Sequence, residues 1–164
     1  MTVKFIFMQP EHKLWVLCHQ TYNMVLRCEE KAFKKGGVTP QYVSVMMAIK
    51  HIKPPVTPTE VGRWLDRRTN SISMIIDRMK RDGLVERRRD LKDRRSQQLV
   101  MTEKGEKALQ RALGPGWELV TYVLSGLTSE EQQVLSALLE KMREKAYQYL
   151  EPGATMEEIS NINK

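Results

Sequence analysis

Cysteine is almost absent from this chain: Cys18 and Cys28 are the two in 164 residues. That excludes a disulfide framework. The three histidines, His12, His19 and His51, follow no metal-ligand spacing, so neither a metal nor a cofactor is expected. No apolar run approaches the roughly 18 residues of a membrane span. The opening Met-Thr-Val-Lys-Phe-Ile-Phe-Met-Gln-Pro has one lysine and too short an apolar stretch for a signal peptide, so a cytoplasmic location is the expectation. No internal repeat and no low-complexity tract is present. Acids are in deficit: 20 Asp and Glu stand against 27 Lys and Arg, for a net charge of +7. A content of 41% hydrophobic and 29% charged residues marks a globular chain, of one domain or a small domain with an oligomerisation arm.

The surplus charge is concentrated. Between Arg63 and Arg95 twelve basic residues meet six acids, so this fifth of the chain carries +6 of the total. A directed positive field of that kind suits a polyphosphate partner, and double-stranded DNA is the expected one.

The local pattern in the same stretch agrees. Thr57-Pro58-Thr59-Glu60 reads as a capping box opening a short helix to Leu65. Asp66-Arg67-Arg68 turns the chain, and Thr69 is placed to cap a second helix that runs through Arg81 and stops at Gly83. Ile72, Ile75, Ile76 and Met79 form its apolar stripe, while Asn70, Met74, Asp77, Arg78 and Arg81 point the other way. Strands over Leu84 to Arg88 and Gln97 to Met101 flank an arginine-rich tip, Arg89 to Ser96. Helix, turn, helix and β-hairpin in that order suit the major groove, which admits one helix.

Helices frame this centre. Glu11 to about Lys35 repeats Leu14, Leu17, Cys18, Thr21, Val25, Cys28 and Ala32 at three- and four-residue steps, and Gly36-Gly37 ends it. A second helix, from Thr39-Pro40 to about Ile52, carries Val43, Met46, Met47 and Ile49 on its apolar side, and Pro54-Pro55 terminates it. Thr102-Glu103-Lys104-Gly105 opens another, which Gly114-Pro115-Gly116 should interrupt or kink before it resumes through Val123. Thr128-Ser129-Glu130-Glu131 is a second capping box, and the last helix turns Val134, Leu135, Leu138, Leu139, Met142, Ala146 and Tyr149 inward. The expected class is mainly α with a small β-wing, six helices in all. Apolar stripes at both chain ends need more surface than one copy offers, which points to a homodimer.

From about Glu11 to Leu150 the chain resembles the multiple-antibiotic-resistance regulator (MarR) family of winged-helix transcription factors. The specific part is Arg-Asp-Gly-Leu-Val-Glu-Arg, then Asp90-Leu-Lys-Asp93-Arg94-Arg95-Ser96, then Leu-Val-Met-Thr-Glu-Lys-Gly. The resemblance implies a DNA-binding regulator, not an enzyme: a repressor whose homodimer straddles a pseudo-palindromic operator and is released by a small aromatic or phenolic effector. It implies a winged helix-turn-helix lobe over 39–103 and a helical dimerisation region over 1–38 and 104–164. By position, Thr69, Asn70, Ser71, Ser73 and Met74 would face base edges, and Arg78 and Arg81 would hold phosphates. Met74 departs from the polar or arginine residue often found there, and apolar contact with a thymine methyl is its use. On the wing, Arg89, Lys92, Arg94 and Arg95 would hold DNA, with Arg94 in the minor groove and Asp93 pairing with Arg95 to shape the tip. The sequence leaves open whether Arg94 and Arg95 exchange roles.

Other readings stay beside this one. Trp15, Tyr22, Met46, Met47, His51, Trp117 and Tyr122 would line an effector pocket between the dimer helices and the DNA lobe, or serve simply as core. Cys18, one turn before Tyr22, resembles the thiol of the hydroperoxide-sensing branch, or is a small packed residue. It lies roughly 15 Å along the helix from Cys28, too far for a bridge within one chain. Asp90 and Asp93 as nuclease carboxylates are disfavoured by six basic neighbours and no nearby histidine. A sequence-independent architectural protein is the remaining alternative.

Overall fold

A computed structural model describes residues 9–89 and 97–152. Its helices are α1 (Pro10–Phe33), α2 (Pro40–His51), α3 (Pro58–Trp64), α4 (Thr69–Arg81), α5 (Glu103–Leu124) and α6 (Ser129–Leu150). A 3₁₀ turn at Lys34–Gly36 follows α1, and an antiparallel hairpin of β1 (Val85–Arg89) and β2 (Gln97–Met101) stands between α4 and α5. Its register pairs Val85 with Met101 and Arg87 with Leu99. The six helices and two-stranded wing are those expected among the described residues.

Local chemistry sets most boundaries. Thr57 accepts the Glu60 N–H at 3.3 Å while the Glu60 carboxylate accepts the Thr57 N–H at 2.8 Å, a closed capping box. Thr128 and Glu131 repeat it at the start of α6. Gly37 at φ 70° and Gly83 at φ 69° take the left-handed conformation that ends a helix.

Four details differ from the sequence reading. Thr69 does not cap α4. Arg68 holds the extended N-cap position, no side chain caps the helix, and Thr69 is its first residue. The first wing strand begins one residue later than expected, at Val85, because the Leu84 N–H still closes the end of α4, donating to the Met79 carbonyl at 2.9 Å. Gly114-Pro115-Gly116 does not break α5, which runs through Pro115. Proline removes one hydrogen bond, and the helix is held there by packing, since a Cβ on Gly116 would come within 2.9 Å of the Phe33 ring. On α2 the buried positions are Pro40, Val45, Met46 and Ala48, while Val43 and Ile49 pack at the margin and Met47 is exposed.

The core lies in the middle of the chain. Met46, Ile72, Ile76, Met79, Leu99, Val45 and Val61 are its largest fully buried side chains. Phe33 and Val38 enter from the α1 side, and Ala108, Leu109 and Ala112 from α5. Helix α6 buries nothing in its own chain, and α1 buries only Phe33. The stripe expected to turn inward on α6 and the start of that on α1 therefore face outward: Leu14, Leu17, Val134, Leu135, Leu138, Leu139 and Met142 are all exposed, while Cys18, Val25, Cys28 and Ala32 of the α1 stripe are half-buried.

Candidate nucleic-acid interface

The site begins at a tight turn. The Arg67 N–H donates to the Gly62 carbonyl at 2.8 Å, folding the chain back between α3 and α4. A Cβ at Gly62 would meet the Arg67 oxygen at 2.8 Å, closer than side chains pack. Asp66, at φ 50°, takes the strained left-handed step in the same turn. Glycine inside a short helix is the sequence signal for this close approach, and the sequence reading passes over it.

Helix α4 sits on its apolar stripe. Ile72, Ile75, Ile76 and Met79 are buried as expected, so the opposite face is fixed outward. Thr69, Asn70, Ser71, Asp77, Arg78 and Arg81 are exposed and Ser73 is half-buried. Met74 keeps 60% of its surface. A methionine presented so openly between small polar residues gains little from packing on its own chain.

The hairpin stands beside this face. Leu99 on β2 donates its N–H to the Val56 carbonyl at 2.8 Å, which anchors the wing to the segment before α3. Arg87 on β1 approaches Asp77 on α4 at 4.0 Å, and Arg88 pairs with Glu86 at 2.6 Å. Among the described residues neither Arg78 nor Arg81 takes part in an ion pair. The backbone of Arg89 closes β1. Lys92, Asp93, Arg94 and Arg95, with Asp90, lie outside the described residues, and so does the expected Asp93–Arg95 pair.

Sequence reasoning misses Tyr42. Its hydroxyl donates to Asp82 Oδ2 at 2.9 Å, tying α2 to the end of α4. Burial pushes this hydroxyl above the ordinary tyrosine range and the Asp82 carboxylate adds to that, while the guanidiniums of Arg78 and Arg81 oppose it. Lys104 at the start of α5 donates to the Asp82 carbonyl at 2.7 Å, and Lys50 on α2 pairs with Glu106 at 2.7 Å. Burial also raises the Glu29 carboxyl on α1.

Met46 is fully buried at the centre of α2, a helix packed on α1, α3, α4, α5 and β2, the core placement that the sequence left open beside a pocket. His51 lies against Trp64, ring centroids 5.4 Å apart, and Trp15 meets His19 edge-on at 5.1 Å. Tyr22, Met47 and Tyr122 are exposed, and Trp117 keeps 71% of its surface. An open depression of about 500 Å³ lies along α6 between Ser129 and Glu140 and includes none of them. Cys18 and Cys28 are free and half-buried.

This arrangement can lay one helix in a groove and a basic ribbon beside it. The MarR family model matches residues 36–96, the span from the end of α1 to the wing tip. The HTH-type transcriptional regulator BilQ of Clostridium symbiosum is 40% identical over 125 residues, 74% of this chain and 87% of BilQ. The chain belongs to the MarR family. It is a transcription regulator of MarR type and not an enzyme. The transcriptional repressor MprA of Escherichia coli K12 is 24% identical over 155 residues, 94% of this chain and 88% of MprA. Among solved structures, the ligand-free organohalide-sensing regulator RdhR-CbdbA1625 superposes with a TM-score of 0.80 at 23% identity, covering 91% of this chain and 88% of that one. The same regulator is also known in a 2,4-dichlorophenol-bound form, again at 0.80. No helix among the described residues is long and apolar enough to cross a membrane.

Proposed function

We propose that this chain is a homodimeric, cytoplasmic repressor that binds a pseudo-palindromic operator in double-stranded DNA and is released by a small aromatic ligand. One observation carries the DNA reading. The exposed face of α4 presents small polar residues at its N-terminal end. At its C-terminal end it presents Arg78 and Arg81, whose guanidiniums form no ion pair among the described residues. The first set suits base edges and the second suits backbone phosphates. Arg87, Arg88 and the tip arginines extend the same run of positive charge along the wing sequence. Repression follows the name of MprA.

The ligand reading rests on the aromatic surface. Trp15, Tyr22 and Trp117 are exposed in one chain, so a pocket built from them needs the partner copy to close it. A phenol-bound form of a structural neighbour supports the chemical class. Such a ligand acts only by binding two lobe spacings with different affinity.

Nuclease footprinting on promoter DNA tests the function. One dimer should protect one short inverted repeat, whereas an architectural protein protects any duplex. If the two lobes neutralise about 6–10 phosphates, affinity should fall roughly 10³–10⁵-fold between about 50 and 200 mM salt. A nearly flat salt dependence would remove the electrostatic half of the reading.

A further inference from the structure

The recognition helix ends on a carboxylate that its own arginines do not hold. Asp82 follows α4 directly, next to Arg81 and four residues beyond Arg78. On a helix an arginine and an aspartate at that spacing are neighbours and tend to pair. Here they do not, among the described residues. The Asp82 carboxylate is turned toward α2 instead, where the Tyr42 hydroxyl donates to it at 2.9 Å. Its main-chain carbonyl is taken by Lys104 at 2.7 Å, which fixes the residue from the α5 side as well. A directed hydrogen bond to an ionised group outweighs a solvent-exposed ion pair between two mobile side chains. The tyrosine therefore has the advantage in the competition for Asp82. Both guanidiniums act electrostatically on the same hydroxyl, opposing the Asp82 carboxylate.

We propose that Tyr42 is a positioning residue for DNA binding: by holding the Asp82 carboxylate on the α2 side, it keeps Arg78 and Arg81 free for backbone phosphates. This rests on the DNA reading of the two arginines given above. Without the hydroxyl, Asp82 is released one helical turn from Arg78 and captures a guanidinium that would otherwise reach the duplex. That guanidinium serves a phosphate, so the effect falls on all sequences alike and shows in the salt dependence.

The test uses the full chain and a fluorescent mixed-sequence duplex of about 40 base pairs, titrated by anisotropy across a salt series. Tyr42→Phe should weaken binding about three- to tenfold and make the slope of log affinity against log salt shallower by about 1. Asp82→Asn alone should bind at least as well as the parent. The double variant Tyr42→Phe with Asp82→Asn should return to parental affinity, because the competing carboxylate is gone. A role confined to stability predicts otherwise: Asp82→Asn would itself weaken the protein and would rescue nothing. Tyr42→Phe binding like the parent, or weakened binding that Asp82→Asn fails to restore, overturns the proposal. Arg78→Ala with Arg81→Ala, run in parallel, separates the two readings. If that variant binds like the parent, the phosphate role of the arginines fails and the proposal falls with it. If it binds weakly while Tyr42→Phe does not, the proposal alone fails.

Discussion

Gly105 and Gly114 lie on the same helix and their missing side chains mean different things. A Cβ on Gly105 would overlap the Leu84 carbonyl oxygen, where α5 starts against the end of the α4–β1 turn. At Gly114 nothing lies within 4 Å. Alanine exceeds glycine in a helix by about 1 kcal/mol. Gly114→Ala should therefore stabilise the protein by about 0.5–1 kcal/mol. At Gly105 the same gain is set against an overpacked approach to main chain, which costs about 1–3 kcal/mol. Denaturant unfolding should move the two midpoints in opposite directions at constant m-value. An unchanged midpoint for Gly105→Ala would mean that α5 can shift away from Leu84 freely. The sequence shows a glycine in each helical pattern but not its reason, because the opposing atom of Gly105 comes from a remote residue. Tyr42 escapes sequence reasoning for the same cause, since its partner Asp82 is 40 residues away. For Met46 the sequence leaves core and pocket open, because a methionine stripe looks alike whether a core or a ligand covers it.

Elements are legible where their chemistry is local. The capping boxes at Thr57 and Thr128 each close within four residues, and both form. The stripe of α4 is legible in full, because helical periodicity alone decides which side is buried. Thr69 fails as a cap because a one-residue shift in the helix start moves a side chain from the cap to the first turn. Pro115 fails as a helix breaker because the missing hydrogen bond is a local cost, and packing of α5 against Phe33 is remote from it in sequence. The α3 cap makes a testable case at this scale. Helix α3 is short, so its first turn is a large share of its hydrogen bonding. Thr57→Ala should cost about 0.5–2 kcal/mol of stability, read by thermal or denaturant melting. Thr57→Ser, which keeps the acceptor oxygen, should recover most of that loss. Equal losses for both variants would show that the threonine methyl, not the cap, matters.

At the scale of the molecule the apolar surface is divided unevenly. The core sits in the DNA lobe and its margins, while α6 carries Leu135, Leu138, Leu139 and Met142 with no buried residue in its own chain. Each leucine gains roughly 1.5–3 kcal/mol on full burial, so these faces together favour a second copy over water. Each copy brings one recognition helix, so dimerisation also sets the spacing of two half-sites. The last prediction uses Leu135→Glu with Leu139→Glu, two positions one helical turn apart. Both are exposed in the single chain, at 40% and 50%, so the lobe should keep its fold and its helical circular dichroism. In a dimer the same glutamates would be desolvated without partners, which costs far more than the apolar burial they replace. Sedimentation should therefore find the 19.1 kDa single chain in place of a dimer. Operator affinity should drop together with the dimer, because the second half-site is then no longer held at high effective concentration. Weak binding of the lone lobe should persist with its α4 face intact. A variant that still sediments as a dimer and binds its operator tightly would place the interface elsewhere, and the half-site geometry would have to be rebuilt on that other surface.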